Sequence, residues 1–504
     1  MRTMDWGIWT LLGLGVACGG GSGVPPPMPL PAPAPAPAPV VSVAISPSGI
    51  NLWTGGTQAF QATITGSTNQ AVTWGVVETT GGSISAAGLY TAPGTAGGFH
   101  VKATSAADPT KSAQAPVTVS VQPSAGACNG AALGIGASLN GFTSFPSDNA
   151  WNQDVSAAPV DPNSVAIIAF IGVGTGLHPD FGAGLYNGSP IGIPYAVVAS
   201  SSQTKVSVAF TAYGNESDPG PMPLPANAPV EGGNASTGDR HVLVMDRDAC
   251  VLYELYRAFL QPNGSWTADA ASVWDLKSNT LRPYGWTSAD AAGLPIFPGL
   301  ARYDEVAAGA ITHALRFTVP TSRKAYVLPA THWASSNTST SAPPMGLRVR
   351  LKASVDISTY PTQARVVLAA LKRYGMLLAD NGSAWYISGA PDDRWDNTQL
   401  AALSGIKGSD LEVVQMGTVY TSDPTGPAPF ISTLSANPAT IPTGSSAILT
   451  WSATQATRFF ITPELGWVTG TTATVRPTTT TTYTLQAEGP YGSATRTTQV
   501  VVTP

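Results

Sequence analysis

Short strand-like segments separated by turn residues are the feature that most constrains how this chain can fold. Between residue 40 and about residue 122, polar and apolar side chains alternate in runs bounded by Gly, Pro, Ser and Asn. Because successive side chains of a β-strand point to opposite faces, such runs predict strands with one buried face. The predicted strands are residues 42–45, 58–64, 71–77, 100–103 and 115–121. Their regular spacing predicts a β-sandwich with Trp74 in its core.

Two stretches of the chain carry a family resemblance. Residues 82–93, Gly-Ser-Ile-Ser-Ala-Ala-Gly-Leu-Tyr-Thr-Ala-Pro, resemble the bacterial immunoglobulin-like domains of surface proteins. A second resemblance, to another secreted immunoglobulin-like domain, rests on residues 435–438, 449–452 and 478–485. These resemblances imply one sandwich at residues 40–122 and a second at residues 429–504. Neither contains a cluster of His or acidic residues, so we expect both to act as spacers or binding modules.

The composition excludes a nucleic-acid-binding protein. Only 11% of the 504 residues are charged and the formal net charge is -5, so the chain lacks the concentrated basic surface that a nucleic-acid partner requires. A hydrophobic content of 43%, beside 53 Gly and 44 Pro residues, is enough for apolar cores joined by turn-rich connections. The length indicates about three domains.

The N-terminal residues predict export and a lipid anchor. An apolar stretch from Trp6 to Ala17 is too short to span a bilayer and is typical of a secretory signal. Leu14-Gly15-Val16-Ala17-Cys18 resembles a bacterial lipoprotein signal, which implies a signal peptide over residues 1–17 and lipidation of Cys18. Ordinary cleavage near Ala17, which would leave Cys18 as a free thiol, is the alternative.

The predicted location follows from this signal. The residue after Cys18 is Gly19 rather than the aspartate that marks inner-membrane retention in the resemblance, which favours the outer membrane or the cell surface. The Gly- and Pro-rich residues 18–39 predict a polyproline II stalk that holds the rest of the chain away from the lipid. We therefore expect a protein that meets the membrane through its lipid anchor only, or otherwise a secreted one.

Two further cysteines, Cys128 and Cys250, form an even pair in a chain that is predicted to be exported. A disulfide between them would close a loop of about 120 residues and stabilise the fold by a few kcal/mol. Two separate buried thiols are the alternative. No CxxC motif and no Cys/His cluster with zinc-finger spacing occurs in the sequence.

Residues 126–425 form the largest predicted unit, and strand-like runs dominate it. One helix is predicted after Pro361, ending at Gly375, and a weaker one after Thr287 and Ser288. The predicted strands are residues 165–171, 193–198, 206–210, 241–245, 251–256, 314–319, 324–328 and 347–351. The whole chain is thus predicted to be mainly β, with two immunoglobulin-like β-sandwiches flanking a larger β-rich (α+β) central domain that has a few helices.

Several enzyme classes lack their motifs in this sequence. There is no GxSxG for a serine hydrolase elbow and no HExxH for a zinc protease. There is no Walker A motif, and no GxGxxG lies between a strand and a helix. Nucleotide-dependent and zinc-protease chemistry are therefore disfavoured, and the sequence indicates no particular cofactor.

Acidic residues concentrate in one polar segment of the central domain. Glu216, Asp218, Glu231 and Asp239 lie among Gly and Pro residues that predict loops. Glycosidic cleavage commonly uses two carboxyl groups about 5 to 9.5 Å apart, one as acid and one as base or nucleophile. These four residues are therefore candidate catalytic groups. Turns that carry solvated acids are the alternative interpretation.

Two histidines have acidic neighbours. Asp239 and His241 are two residues apart, so on a strand both would face one cleft. Asp239 could fix the tautomer of His241 for general-base catalysis, or both could ligate a metal; a simple hydrogen bond at a strand entrance is the alternative. His178 and Asp180 form a similar pair and are the candidate metal ligands.

Aromatic and basic side chains supply candidate substrate contacts. Trp286 and Trp395 have charged neighbours, which favours exposure, and an exposed indole can stack on a sugar ring; core packing is the alternative. Arg240 is a third candidate contact. Together with Arg302 and Arg316 it would also allow a lyase, in which a cation neutralises a uronate carboxylate while a His or Tyr abstracts a proton.

The central domain as a whole resembles an uncharacterised family of exported bacterial and fungal proteins. The resemblance rests on residues 177–182, 238–244, 311–315 and 371–376, and it extends over most of residues 145–415. It implies no activity. From the residues themselves, we expect a domain that acts on extracellular polysaccharide or a cell-surface glycan as a hydrolase or a lyase. A glycan-binding or adhesion protein without catalysis, and a metal-dependent hydrolase, are the alternatives.

Overall fold

The computed structural model describes residues 40–120 and 127–504. The predicted signal peptide, the stalk and Cys18 lie outside these residues. Within them the predicted fold class is confirmed, because the chain is mainly β with few helices. No helix in this part of the chain is long and apolar enough to cross a membrane.

Residues 40–120 form the N-terminal sandwich. Its strands, β1 to β9, are Ser42–Ser46, Ile50–Trp53, Thr57–Ala59, Gln61–Thr65, Val72–Val76, Ser83–Ile84, Leu89–Thr91, Gly97–Ser105 and Ser112–Ser120. One sheet has the order β2-β9-β8-β5, a second has the order β3-β7-β6, and β1 pairs with β4. Phe60, Tyr90 and Val101 are buried between them. Trp74 is only partly buried and contacts Phe60 with 6.5 Å between ring centroids, so it lies at the margin of this core.

The central domain contains the next sixteen strands and the α-helices of the described residues. Strands β10 to β25 are Gly134–Ile135, His178–Asp180, Leu185–Tyr186, Ser189–Pro190, Tyr195–Val198, Val208–Phe210, Val242–Asp246, Val251–Tyr256, Phe259–Leu260, Trp266–Ala268, Ala270–Asp275, Leu315–Val319, Arg348–Leu351, Met376–Asn381, Tyr386–Ser388 and Leu411–Val413. Helices α1 to α4 are Ser164–Ile171, Tyr303–Ala308, Thr362–Arg373 and Asn397–Ala401. Short 3₁₀ turns are formed by Cys128–Gly130, Gly214–Glu216, Phe297–Gly299, Ala402–Gly405 and Gly408–Asp410.

Two large sheets form most of the central domain, beside a three-stranded sheet with the order β15-β19-β18 and the hairpin β12-β13. The five-stranded sheet has the order β10-β14-β16-β17-β20, and the six-stranded sheet has the order β11-β24-β21-β23-β22-β25. Both faces of the five-stranded sheet are buried. On β16, Leu243 and Met245 enter the larger core that the two sheets share, whereas Val242 and Val244 enter a second core on the opposite face. Because both faces are buried, the sequences of these strands are continuous apolar runs and do not alternate between apolar and polar residues.

The strand predicted at residues 165–171 is wrong, because this segment forms α1. Ile167, Ile168 and Ile171 are buried at helical spacing, while Val165 is exposed. A short run of β-branched residues cannot be assigned to strand or helix by its hydrophobicity alone. Here the helix allows the isoleucines to enter the large core on one face.

Two further predictions fail. Residues 289–292 do not form a helix, because the Ser288 hydroxyl donates to the Asp290 carbonyl at 2.8 Å and the Asp290 carboxylate binds a distant arginine. Residues 324–328 do not form a strand, since Tyr326 makes only isolated bridges. The helix predicted after Pro361 is present as α3.

Residues 430–503 form the C-terminal sandwich. Its strands, β26 to β33, are Phe430–Asn437, Thr440–Pro442, Ala447–Thr454, Arg458–Thr462, Gly466–Val468, Thr472–Val475, Thr481–Gly489 and Gly492–Thr503. The sheets have the orders β26-β28-β31 and β27-β33-β32-β29-β30. Trp451, Tyr483 and Leu485 are buried in its core. Phe460 on β29 is instead buried in the second core of the central domain, so the two domains share a packed interface.

A disulfide joins Cys128 and Cys250, as predicted, with 5.7 Å between their Cα atoms. Cys128 lies in the first 3₁₀ turn of the central domain, and Cys250 lies between β16 and β17. The bond therefore attaches the beginning of the domain to its five-stranded sheet.

Candidate functional site

A buried arginine forms the centre of the candidate site. Arg316 on β21 donates from Nε and Nη2 to the two carboxylate oxygens of Asp290, at 2.6 and 2.7 Å. Its Nη1 donates to the Ser388 hydroxyl on β24 at 2.7 Å, and its Nη2 lies 3.7 Å from the Asp380 carboxylate on β23. Burial disfavours the charge of Arg316, but the Asp290 carboxylate outweighs that effect and raises the pKa of Arg316 above its usual value. Side chains from the three adjacent strands β24, β21 and β23 thus lie together around the Arg316 guanidinium.

His241 and Glu231 form an ion pair beside this arginine. His241 is buried, its Nδ1 lies 2.5 Å from Glu231 Oε2, and its Nε2 lies 3.0 Å from the Ala289 carbonyl oxygen. Burial alone would lower the pKa of His241, but the Glu231 carboxylate raises it to about 9. His241 is therefore protonated at neutral pH and donates from both ring nitrogens. A general-base role for His241 is not supported, because neither nitrogen is free to accept a proton.

Asp239 is not the partner of His241. Strand β16 begins at Val242, and Arg240 has a φ of 50°, so the alternation of side chains along the strand does not extend back to Asp239. The Asp239 side chain is exposed, and its main-chain carbonyl accepts a hydrogen bond from the Arg257 N–H at 2.8 Å. The predicted Asp239–His241 dyad is replaced by Glu231–His241.

Two carboxyl groups in this network have pKa values shifted in opposite directions. The Asp380 side chain is 25% exposed, and burial together with the Asp290 carboxylate raises its pKa to about 7. The Glu231 side chain is 26% exposed; burial would raise its pKa, but the ion pair with His241 lowers it below the usual range. Below about pH 7 the site therefore offers a protonated Asp380 and an ionised Glu231, both partly open to solvent.

The two candidate metal ligands lie at the edge of the same network. Asp180 on β11 is paired with Ser388 on β24, and the His178 ring stacks on Tyr386 with 4.0 Å between centroids. Loss of water around its carboxyl raises the pKa of Asp180, an effect that His178 opposes and Glu231 reinforces. Within residues 40–120 and 127–504, no group of three or more His, Cys, Asp or Glu side chains is arranged to hold a metal ion.

Glu216 and Asp218 lie in a different network. The Asp218 carboxylate is fully buried and forms ion pairs with Arg282 at 2.7 Å and with Arg458 of the C-terminal sandwich at 2.5 Å. The Glu216 carboxylate accepts a hydrogen bond from the Thr287 N–H at 3.0 Å. Asp218 therefore fixes the interface between two domains, and a substrate cannot reach it. Neither residue shares a partner with Glu231.

The predicted substrate contacts are mostly inaccessible. Trp395 is buried, and its ring contacts Phe181 and Tyr303, so its predicted exposure is wrong. Arg240 is also buried, and its guanidinium donates to four main-chain carbonyl oxygens. Trp286 is partly exposed and lies 5.7 Å from the Arg282 guanidinium. Trp286 alone of these three keeps an accessible ring.

The cations expected for a lyase already have partners. Arg302 Nη2 lies 2.5 Å from Glu305 Oε1, and His313 Nε2 lies 3.0 Å from the same oxygen. Arg302 and His313 are buried. This triad therefore stabilises the start of α2 and does not present a free cation to a substrate.

Asp290, Asp380 and Glu254 were missed by sequence reasoning. Glu254 is fully buried and accepts hydrogen bonds from the main-chain N–H groups of Ile296 and Phe297 at 3.0 and 2.8 Å, while burial raises its pKa to about 7. A signal existed for two of them. Glu254 is an acid inside an otherwise apolar run, and Asp380 directly follows one. Asp290 had no such signal, because its role depends on the distant Arg316.

Comparison with known proteins gives no family. No family model matches the chain, and no curated protein sequence matches it. Among solved structures, the N-terminal four Ig domains of Dscam1 isoform 4.44 align with 92% of this chain and 100% of their own, at 10% identity and a TM-score of 0.15. The N-terminal eight Ig domains of DSCAM isoform 1.30.30 align with 92% of this chain and 57% of their own, at 9% identity and a TM-score of 0.14. Structural neighbours are thus immunoglobulin-domain proteins, but TM-scores this low carry no argument about function.

Proposed function

We propose that the central domain is an enzyme that hydrolyses extracellular polysaccharide or a cell-surface glycan. The observation that carries this function is the pair of partly exposed carboxyl groups, Asp380 and Glu231, whose pKa values are shifted apart around Arg316. Glycoside hydrolysis requires such a pair, one protonated and one ionised. No single residue of the pair would be sufficient.

Each carboxyl group has a distinct task in this reaction. Asp380, protonated below about pH 7, gives its proton to the glycosidic oxygen as the bond to the anomeric carbon breaks. Glu231 remains ionised because of His241 and either takes a proton from the attacking water or attacks the anomeric carbon itself. If Glu231 acts as the base, it holds the proton of the attacking water, and proton exchange with solvent then restores both carboxyl groups. If Glu231 attacks the anomeric carbon, a water breaks the glycosyl–Glu231 bond and gives its proton to the Asp380 carboxylate, which restores the acid. Arg316 and Asp290 position the acid without contacting the substrate.

The test is an activity screen of the full chain against a polysaccharide panel, with reducing ends and unsaturated products measured together. We expect reducing ends without unsaturated products, and a loss of about a hundredfold or more in Asp380→Asn and Glu231→Gln. Asp356→Asn, at an exposed aspartate that caps a turn at Ser358, is the matched control. Equal rates in all variants, with thermal unfolding unchanged, would contradict the assignment.

The pH profile gives a second check of the same assignment. An acid with a pKa of about 7 loses its proton as the pH rises, so the rate should fall above about pH 7. The Asp356→Asn control should keep this profile. A rate that rises steadily between pH 6 and 9 would contradict Asp380 as the proton donor.

We also propose that the chain is an envelope lipoprotein with bacterial immunoglobulin-like domains. The Cys128–Cys250 disulfide supports export, because such bonds persist in oxidising compartments. Metabolic labelling with a radioactive fatty acid should mark the wild-type chain but not Cys18→Ser. Labelling of both would contradict lipidation at Cys18.

A glycan-binding protein without turnover is the second candidate. The observation in its favour is a hairpin, β12 to β13, that exposes two apolar side chains beside the site, Leu185 at 67% and Tyr186 at 72%. Exposed aromatic rings serve equally well for retention of a sugar chain as for catalysis. Binding without product, equal in wild type and in Asp380→Asn, would favour this role.

A further inference from the structure

We infer, on the basis of the proposed function, that this site takes a polysaccharide free of acidic groups and that one sugar ring of the chain lies on Tyr186. Two independent features support this inference. The cations around Glu231 already have hydrogen-bond partners within the protein, and a hairpin with an exposed tyrosine is hydrogen-bonded to the loop that follows Glu231. The inference specifies the substrate class and names a residue that the catalytic roles do not use.

The cations of the site have no capacity left for a substrate carboxylate. Arg316 is buried, and its guanidinium donates hydrogen bonds to Asp290 and Ser388. His241 is buried with both ring nitrogens engaged. Arg240 is buried and donates to four main-chain carbonyl oxygens. The half-exposed Arg257, whose N–H donates to the Asp239 carbonyl, is paired with Asp269 at 3.4 Å. An acidic sugar would therefore find no unpaired cation among these four side chains.

Four carboxyl groups of the site reach solvent. The Asp180 and Asp239 side chains are exposed, and those of Glu231 and Asp380 are about one quarter exposed. Among these groups, the ionised Glu231 accepts hydrogen bonds from hydroxyl or amide donors of a sugar, whereas a uronate would add a like charge next to it. Charge complementarity thus selects a neutral chain and disfavours the lyase reaction on a uronate.

The aromatic hairpin lies against the same loop. Tyr186 is paired with Ser189 across the hairpin, and the Ser189 hydroxyl donates to the Gly232 carbonyl oxygen at 2.6 Å. Gly232 directly follows Glu231 in the chain. The tip of the hairpin is therefore held next to the catalytic carboxylate while its tyrosine ring faces solvent. An exposed ring in this place offers a flat apolar surface for the face of a pyranose.

The experiment measures binding of the full chain to an uncharged β-glucan, an uncharged xylan and polygalacturonate by affinity electrophoresis, independently of turnover. We expect retardation by one of the neutral polymers and none by polygalacturonate at low salt. Tyr186→Ala should weaken binding by about tenfold, while Tyr186→Phe should keep it. Phe430→Ala, which removes an exposed ring from the C-terminal sandwich, is the matched control and should bind like wild type.

The outcomes separate this inference from the proposed hydrolysis. Binding or cleavage of polygalacturonate alone would overturn the substrate class, even if Asp380→Asn still abolished turnover. Equal binding by wild type and Tyr186→Ala would overturn the role of the hairpin. Neutral-polymer binding that depends on Tyr186, but without product, would support the inference and contradict the enzyme. Absence of binding and turnover on every polymer would contradict both.

Discussion

At the scale of single residues, Glu254 has an unusual environment for an acidic side chain. It is fully buried in the middle of β17, and its pKa is raised to about 7 from an ordinary value of 4.5. The folded state therefore binds a proton between about pH 4.5 and 7 that the unfolded state does not bind. The contribution of Glu254 to the free energy of unfolding is therefore largest below about pH 4.5, and it is lost as the pH rises to about 7.

Glu254→Gln should remove that pH dependence. In wild type we expect the free energy of unfolding to fall between pH 4.5 and 7, by on the order of 3 kcal/mol from this group, since one pKa unit corresponds to about 1.4 kcal/mol. The slope of stability against pH, measured by urea unfolding, should be smaller in the variant. Asp356→Asn should keep the wild-type slope, and an identical slope in Glu254→Gln would contradict the buried proton.

The sequence identified part of the candidate site. Glu231 and His241 are both candidates from the sequence, but the i, i+2 spacing predicts Asp239 as the partner of His241, because the two side chains would share a face if both lay on a strand. A left-handed backbone at Arg240 turns the chain, and that conformation is not encoded in any simple spacing. Asp380 and Asp290 were missed because their chemistry arises from Arg316, which other segments bring to them.

At the scale of elements, strand β29 contributes side chains to two hydrophobic cores. Phe460 enters the second core of the central domain, whereas Ile461, the next residue, enters the core of the C-terminal sandwich. The alternation of side chains along a strand thus joins two domains through one element. Such sharing is invisible to an analysis of hydrophobic patterns, which shows that a face is apolar but not what covers it.

Phe460→Ala should separate the domains without unfolding the sandwich. We expect a loss of about 3 to 5 kcal/mol at the interface and faster protease cleavage between residues 417 and 429. Phe459→Ala is the control. Its ring contacts Trp451 at 5.9 Å between centroids, so it should weaken the sandwich itself. Equal cleavage of wild type and Phe460→Ala would contradict a stabilising role for this contact.

Element prediction succeeded where patterns were unambiguous. The alternating runs of the N-terminal sandwich and the helix α3 were found because each shows one clear period. Helix α1 was assigned as a strand because its isoleucines and valine favour both states in a short run. Its helical state depends on the core that it enters.

At the scale of the whole molecule, the two sandwiches differ in their attachment. The C-terminal sandwich contributes Arg458 to the buried Asp218–Arg282 pair, and Lys205 of the central domain donates to the Leu465 carbonyl at 2.5 Å. In the described residues, the side-chain hydrogen bonds and ion pairs of residues 40–120 have both partners within that stretch. The C-terminal sandwich is therefore part of the fold of the central domain, rather than a spacer.

Removal of residues 426–504 should destabilise the central domain, because the second core is opened and Asp218 loses one of its two cations. We expect a loss of about 3 to 5 kcal/mol or an insoluble product. Removal of residues 40–120 should leave the thermal unfolding of the rest unchanged. Similar unfolding temperatures for both truncated chains would contradict this asymmetry.

The disulfide near the beginning of the central domain has a mechanical consequence. A pulling force that enters from the N-terminal side reaches Cys128 and passes through a covalent bond to Cys250, between β16 and β17. The edge strand β10 follows Cys128 in the chain and is therefore outside the path of the load. A stretched chain would transmit tension directly to the five-stranded sheet, whose two faces are both buried, and the edge strand would not be peeled away first.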